Sequence, residues 1–128
     1  MRWLLDTNVL IDAFAGQPAA AKAVGEARSS GVDWVGFSAI SRLEVLGFWK
    51  LSSEDEQGLR DLLAQFNEVS ITAAIIEEAV RVRKTARMKT PDAIVAASAL
   101  ICRAHLITRN LNDFLPIQVL TVMAPATL

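Results

Sequence analysis

The chain has 128 residues, of which 52% are hydrophobic, and these figures predict one packed domain and exclude a disordered segment. Its formal net charge is −1, so binding to a polyanion would require a local basic patch. A single cysteine, Cys102, and a single histidine, His105, exclude an intramolecular disulfide and argue strongly against a structural zinc site.

The first half of the chain alternates short apolar strands with helices. Ser38 is well placed to cap a helix that follows the second strand, and Ser53 with Glu56 three residues later has the spacing of a capping box. In chain order we predict a strand at 3–5, helices at 8–14 and 19–28, a strand at 33–37, a helix to 49, a helix from Ser53 to about 66, and a short strand at 68–71.

The second half continues the same alternation. Thr72 is a predicted helix cap, and Thr90 is predicted to cap another helix that has Pro91 at its first position. We predict that this second helix reaches about residue 104, followed by a strand at 105–107, a single turn at 110–114 and a last strand at 118–122. The pattern favours an α/β fold with a mainly parallel sheet between helical layers, formed by residues 1–128 as one domain.

Two acidic residues follow predicted strands, where parallel α/β sheets bind their ligands. Asp6 comes directly after the first strand, and Asp113 follows the strand at 105–107 through a short polar segment. Each residue, taken alone, is also explained as a helix cap or a first-turn acid, so neither defines a site by itself.

Two further acids lie on predicted helices beside apolar residues. Glu44 is spaced four residues from both Ile40 and Phe48, which predicts that it shares their packed stripe. Asp92 lies in the first turn of its helix, in line with Val95, so its side chain is also expected to point toward the core. The alternative interpretation is a surface acid that is stabilised by the helix dipole.

A parallel sheet would bring all four acids to one edge. Two carboxylates about 5 Å apart repel by roughly 3 kcal/mol at an effective dielectric constant of 20, so some must be protonated or a cation must be present. An all-oxygen ligand set suits magnesium or manganese, and such ions activate water and stabilise charge on a phosphate.

Four segments, LLDTNVLID, SRLEVLG, TPDAIVAASAL and LITRNLNDF, occur in this order from Leu4 onward. Together they resemble the acidic motifs of PIN-domain ribonucleases, specifically the VapC toxins of toxin–antitoxin pairs. The resemblance implies a three-layer α/β/α fold and a magnesium-dependent endoribonuclease, with manganese as an alternative metal. It also implies an RNA substrate, a cognate antitoxin protein, and assembly as a homodimer or a toxin–antitoxin hetero-oligomer.

The resemblance also implies roles for individual residues. The catalytic acids would be Asp6, Glu44, Asp92 and Asp113. Of these, Asp6, Asp92 and Asp113 would bind the metal, directly or through water, while Glu44 would hold a second cation or orient the attacking water. Supporting polar positions would be Asn8 and Thr108.

Five of the 13 basic residues lie within nine positions just before Asp92, with no acid among them. This basic segment predicts an RNA-binding rim. The alternative interpretation is a solvated helix end that is stabilised by the helix dipole. The five residues are Arg81, Arg83, Lys84, Arg87 and Lys89.

Other polar and aromatic residues receive structural interpretations. Asp12 lies four residues beyond Asn8 and could approach the acidic site, but a surface helix acid is the favoured interpretation. His105 is expected to be a partly buried structural histidine, with a catalytic base as the alternative. Phe48 and Trp49 are expected to be mainly core residues, with an apolar partner surface as the alternative. No apolar run is long enough to span a bilayer, and we expect a soluble, cytoplasmic protein. Two other functions stay open at this point: a phosphate-handling α/β protein, and a non-catalytic binding module on the same scaffold.

Overall fold

The computed structural model of the chain describes residues 1–29 and 31–128, and its centre is a five-stranded sheet. The strands are β1 (Arg2–Leu5), β2 (Trp34–Ser38), β3 (Asn67–Val69), β4 (His105–Ile107) and β5 (Val122–Met123). They lie in the order β3-β2-β1-β4-β5, and each neighbouring pair is parallel. The predicted parallel sheet is confirmed.

Helices connect the strands and cover both faces of the sheet. They are α1 (Thr7–Phe14), α2 (Pro18–Ser29), α3 (Ala39–Leu46), α4 (Ser53–Leu63), α5 (Ala73–Ala86), α6 (Thr90–Cys102) and α7 (Leu111–Phe114), and a 3₁₀ turn follows at Pro125–Thr127. Parallel strands require such crossover connections, which explains the predicted alternation. Among the described residues, no helix has the length and apolar character that crossing a membrane requires.

Two apolar clusters lie on opposite faces of the sheet because successive strand side chains point in opposite directions. Leu4 and Leu106 pack in one cluster with apolar residues of α5 and α6. Leu5 and Ile107 pack in the other with apolar residues of α1 to α4. All four of these strand residues are fully buried, so the predicted three-layer α/β/α arrangement is confirmed.

Several predicted element boundaries were wrong. Ser52, not Ser53, caps α4, because its hydroxyl accepts a hydrogen bond from the amide of Asp55. Thr90 lies inside α6, where Lys89 has the cap position without a side-chain hydrogen bond. The last strand begins only at Val122, since residues 118–120 form turns. The helix predicted at 19–28 was expected to end at residues 29–31, of which residue 30 lies outside the described residues.

The helix predicted to reach residue 49 instead ends at Leu46. Gly47 follows it, and a Cβ there would lie only 2.5 Å from the carbonyl oxygen of Leu43. Because the helix stops early, Phe48 and Trp49 leave the packed stripe and are 55% and 81% exposed, which corrects their assignment to the core.

The order of the strands creates a switch point at the carboxyl edge of the sheet. From β1, the chain moves through β2 to β3 on one side and then crosses to β4 on the other side. The first residue after β1 is Asp6, and the first after β4 is Thr108. Ligand sites in open α/β sheets form in this crevice.

Candidate active site

Asp6 is only 5% exposed, and every described partner of its carboxylate donates a hydrogen bond. Its Oδ1 accepts from the amide of Thr7 at 2.8 Å, so Asp6 also caps α1. Its Oδ2 accepts from the Thr108 hydroxyl at 2.8 Å and from Asn8 Nδ2 at 3.2 Å. Burial raises the pKa of Asp6, as does the nearby charge of Glu44, while these hydrogen bonds act in the opposite direction.

Thr108 and Asn8 form a rigid polar network around Asp6. The Thr108 hydroxyl is fully buried and, while donating to Asp6, accepts from the amide of Asn110 at 3.1 Å. Asn8 Oδ1 accepts from the amide of Arg109 at 3.0 Å, and Asn8 Nδ2 lies 3.2 Å from Thr108 Oγ1. The loop after β4 is therefore tied to the start of α1, which fixes the orientation of the Asp6 carboxylate.

Glu44 is exposed, so the prediction that it lies on the packed face of α3 was wrong. The buried side of α3 is formed by Ser41 and Val45, each one residue after a position of the predicted stripe. Glu44 nevertheless points toward the start of α1, because Thr7 Oγ1 lies 2.8 Å from Glu44 Oε1. The same hydroxyl lies 2.8 Å from the buried Ser41 Oγ, which can donate to it while it donates to Glu44.

Asp92 lies in the first turn of α6 and is half-buried, as predicted. Burial raises its pKa most, followed by the negative charges of Asp6, Asp113 and Glu44, while Lys89 partly offsets the rise. Charge effects of this kind require the groups to be near one another. Thr7 links two of them directly, since its amide donates to Asp6 Oδ1 and its hydroxyl to Glu44 Oε1, so the four predicted acids lie near one another at the carboxyl edge of the sheet.

A cavity of about 310 Å³ adjoins this edge, between the turn that joins α5 to α6 and the start of α7. Asp92 and Asp113 line it together with Arg87 and Lys89. Arg87 has a left-handed backbone, with φ 54°, and ends α5. Two of the five predicted RNA-binding residues thus lie beside two of the acids.

The other three basic residues lie farther back along α5, and all three are exposed. Arg81 pairs with Glu78 one helical turn away, with an N–O distance of 2.6 Å. Arg83 Nε donates to the carbonyl oxygen of Met88 at 3.3 Å, which braces the turn into α6. Lys84 lies on the same final turn of α5.

The donor set suits a hard divalent cation, although its geometry is open. Within residues 1–29 and 31–128, no three acidic, histidine or cysteine side chains converge tightly enough to bind a metal by themselves. Magnesium usually keeps several waters and uses few protein carboxylates, so a set of oxygen ligands that act partly through water fits its chemistry. Burial raises the pKa of Asp92 most, and the negative charges of Asp6, Asp113 and Glu44 add to the rise; a cation would relieve that repulsion.

One pair near the site was not predicted. Asp12, expected to be a surface acid, has a side chain only 20% exposed and lies 3.5 Å from Arg109 Nε. The pair joins α1 to the loop after β4, two segments that are far apart in the chain. The i,i+4 spacing of Asn8 and Asp12 had indicated that Asp12 could approach the site, but it did not identify Arg109 as its partner.

Comparisons with known proteins agree with this architecture. The PIN domain family model matches residues 3–115, so the chain belongs to the PIN-domain family. A chain of the toxin–antitoxin complex from Klebsiella pneumoniae is 37% identical with a TM-score of 0.81, and the match covers 95% of this chain and 96% of that one. The predicted relationship is confirmed. No curated protein sequence matches the chain at a significant level.

Two more distant structures share the fold. VapBC2 from Rickettsia felis, bound to a fragment of promoter DNA, is 18% identical with a TM-score of 0.84, covering 97% of this chain and 98% of its own. VapBC-1 from nontypeable Haemophilus influenzae is 24% identical with a TM-score of 0.78, and 98% of each chain is covered. PIN domains of VapC toxins are generally nucleases that use divalent metal ions.

Proposed function

We propose that this chain is a magnesium-dependent endoribonuclease, with manganese as an alternative metal, and that it is the toxin of a toxin–antitoxin pair. The main support is the position of the acids at the switch point of the sheet, where Thr7 bonds both Asp6 and Glu44, and where Asp92 and Asp113 line one cavity. These are the acids of the four sequence motifs that resemble those of PIN-domain ribonucleases. Membership in the PIN-domain family favours this function over a phosphate-handling α/β protein of another type.

Asp6, Asp92 and Asp113 would hold the cation, directly or through water, and Glu44 would hold a second cation or orient the attacking water. When bound, a divalent ion would supply Lewis acidity and compensate charge that develops on the cleaved phosphate. The chain itself supplies orientation. Thr108 and Asn8 fix the Asp6 carboxylate, and Thr7 bonds Glu44 from the neighbouring helix.

The RNA backbone would approach across the end of α5. Arg87 and Lys89 share a cavity with Asp92 and Asp113, so they can attract a phosphate to the acids without occupying them. Arg81, Arg83 and Lys84 would extend this basic surface along α5. Since Arg81 is paired with Glu78, we assign it the smallest share of the binding energy.

The direct test of the activity is to sequence the ends of RNA fragments formed by the purified protein with magnesium. Wild type should give discrete internal cleavages that disappear with a chelator, and both Asp6→Asn and Asp92→Asn should abolish them. Asp61→Asn is the matched control, because Asp61 is an exposed acid on α4. Cleavage by wild type that persists in a chelator would contradict the proposal, as would equal losses in all three variants.

The antitoxin proposal draws on the complex from Klebsiella pneumoniae and on an exposed apolar surface. Phe48 and Trp49 lie beyond the end of α3, with ring centroids 6.5 Å apart. An apolar side chain of the partner would dock there. An arginine of the partner would reach Asp6, Asp92 or Asp113, because a guanidinium offers planar donors and a positive charge that replaces the cation.

Magnesium and the antitoxin should therefore compete. We expect the affinity for the partner encoded beside this gene to fall as magnesium rises, because both relieve the same repulsion. Trp49→Ala should weaken partner binding without changing the magnesium dependence of RNA cleavage. Inhibitor affinity that is independent of magnesium would show that inhibition does not act through the acidic site.

A further inference from the structure

A second cavity, of about 470 Å³, lies between the start of α2 and the 3₁₀ turn at Pro125–Thr127. Its volume is within the range of small-molecule sites. Most of its lining is apolar, including Pro18, Ala124 and Pro125. Its polar lining groups are Asp12, Gln17 and Arg109.

The two charged residues of this cavity are held differently. Asp12 is four-fifths buried and fixed on α1, whereas the Arg109 side chain is 64% exposed. The N–O distance of 3.5 Å is long for a charge-assisted hydrogen bond, and because the Arg109 side chain lies largely in solvent the pair contributes little to stability. A ligand with its own hydrogen-bonding groups can therefore separate the two side chains at small cost.

Two residues that line the cavity are close in the chain to residues of the acidic site. Asp12 is one helical turn beyond Asn8, about 6 Å along the axis of α1. Arg109 directly follows Thr108, and its amide is bonded to Asn8 Oδ1. The cavity therefore lies next to Asn8 and Thr108, the two residues that bond Asp6 Oδ2.

The polar groups of the cavity are complementary to guanine. Guanine presents two neighbouring N–H donors on its pairing edge, N1–H and N2–H, which one carboxylate can accept together. Its O6 and N7 are both acceptors and form the bidentate partner of an arginine. Proline and alanine side chains would contact the flat faces of the base, as apolar residues do in pockets for unstacked bases.

We propose that this cavity is a guanine subsite, which selects a guanine nucleotide next to the scissile phosphate through Asp12 and Arg109. The assignment rests on the proposed ribonuclease activity for its biological meaning. Recognition of the base does not depend on that activity, because no metal and no catalytic acid takes part in it.

Titration with single nucleotides tests the subsite without cleavage. The probes are guanosine, adenosine, cytidine and uridine 5′-monophosphates in metal-free buffer, followed by the backbone amide signals of Gln17, Arg109 and Ala126. We expect guanosine monophosphate to bind at least about tenfold more tightly than the others, as a bidentate contact predicts. Equal affinities, or signals that shift only elsewhere in the chain, would overturn the proposal.

A matched pair of variants completes the test. Asp12→Asn should lose the guanine preference by at least about tenfold, both in nucleotide binding and in the sequences of cleaved RNA. Asp61→Asn should keep it. Guanine binding without RNA cleavage would contradict the proposed ribonuclease activity and support the guanine subsite. Metal-dependent cleavage with an unchanged base preference in Asp12→Asn would contradict the guanine subsite alone.

Discussion

Thr108 donates its hydroxyl hydrogen to Oδ2 of Asp6 at 2.8 Å, across the junction between β4 and β1. The two residues are 102 positions apart in the chain, and both are buried. They meet because parallel pairing aligns Leu5 with Ile107, so both strands end at the same level. The hydrogen bond thus links the strand order to the orientation of the most buried acid.

Replacement of Thr108 by valine tests this link, since valine keeps the shape and removes the hydroxyl. We expect the free energy of unfolding to fall by about 1–3 kcal/mol, because a buried carboxylate loses a donor. Nuclease activity should fall with it. Thr108→Ser, which keeps the hydroxyl, should retain most of the activity despite the loss of a buried methyl group.

Urea unfolding and RNA cleavage, measured on both variants, provide the two readouts. Wild-type activity in Thr108→Val would show that the hydroxyl does not orient Asp6 for catalysis. A loss of activity in Thr108→Ser as large as that in Thr108→Val would show that keeping the hydroxyl does not preserve activity, which would also contradict the proposed role of the hydroxyl.

Asp92 gives a pH prediction for the metal-free protein. Burial, and then the charges of Asp6, Asp113 and Glu44, raise its pKa in the folded state above the ordinary value of 3.8. Between these two pKa values the folded protein binds more protons than the unfolded chain. The contribution of Asp92 to stability therefore increases as the pH falls through the folded pKa, and ionised Asp92 destabilises the fold at neutral pH.

Asp92→Asn should consequently be more stable than wild type at pH 7 in a chelator, and this difference should narrow as the pH falls toward 4. Urea unfolding at several pH values measures it. Excess magnesium at pH 7 should make wild type the more stable of the two proteins, because only wild type keeps the Asp92 carboxylate as a metal ligand. A difference that stays constant with pH would show that the ionised carboxylate carries no penalty.

The basic residues beside the acids give a salt-dependence prediction. Replacing both Arg87 and Lys89 with glutamine should weaken RNA binding and lower the slope of log affinity against log salt by up to about 1.4, or about 0.7 for each phosphate that is no longer neutralised. Lys22→Gln with Arg60→Gln is the matched control, since it removes the same two charges from α2 and α4. Equal slopes in the two double variants would assign Arg87 and Lys89 to a solvated helix end.

Local sequence pattern predicted the parts of the fold that depend on local chemistry. Strand β1 and strand β4 are short apolar runs, and Thr72 caps α5 as expected through its bond to the Ile75 amide. The motif order also placed Asp6 and Asp92 at one edge of the sheet. Such features follow from burial and capping, which act within a few residues.

Features set by packing between distant segments were not predictable in the same way. The exposure of Glu44 depends on which face of α3 packs against the core, and that face carries Ser41 and Val45 instead of the predicted stripe. The pairing of Asp12 with Arg109 depends on where the loop after β4 meets α1. No local pattern specifies such a pairing, because its two residues meet only when the sheet has assembled.

The central claim is that the acidic site binds a divalent cation through Asp6, Asp92 and Asp113, and a thermal unfolding series in magnesium tests it most directly. Wild type should unfold at progressively higher temperature as magnesium rises, with a gain of about 2.7 kcal/mol at 100 times the dissociation constant. Asp92→Asn should gain much less, and Asp61→Asn should follow wild type. A wild-type melting temperature that is unchanged from zero to tens of millimolar magnesium would contradict the account.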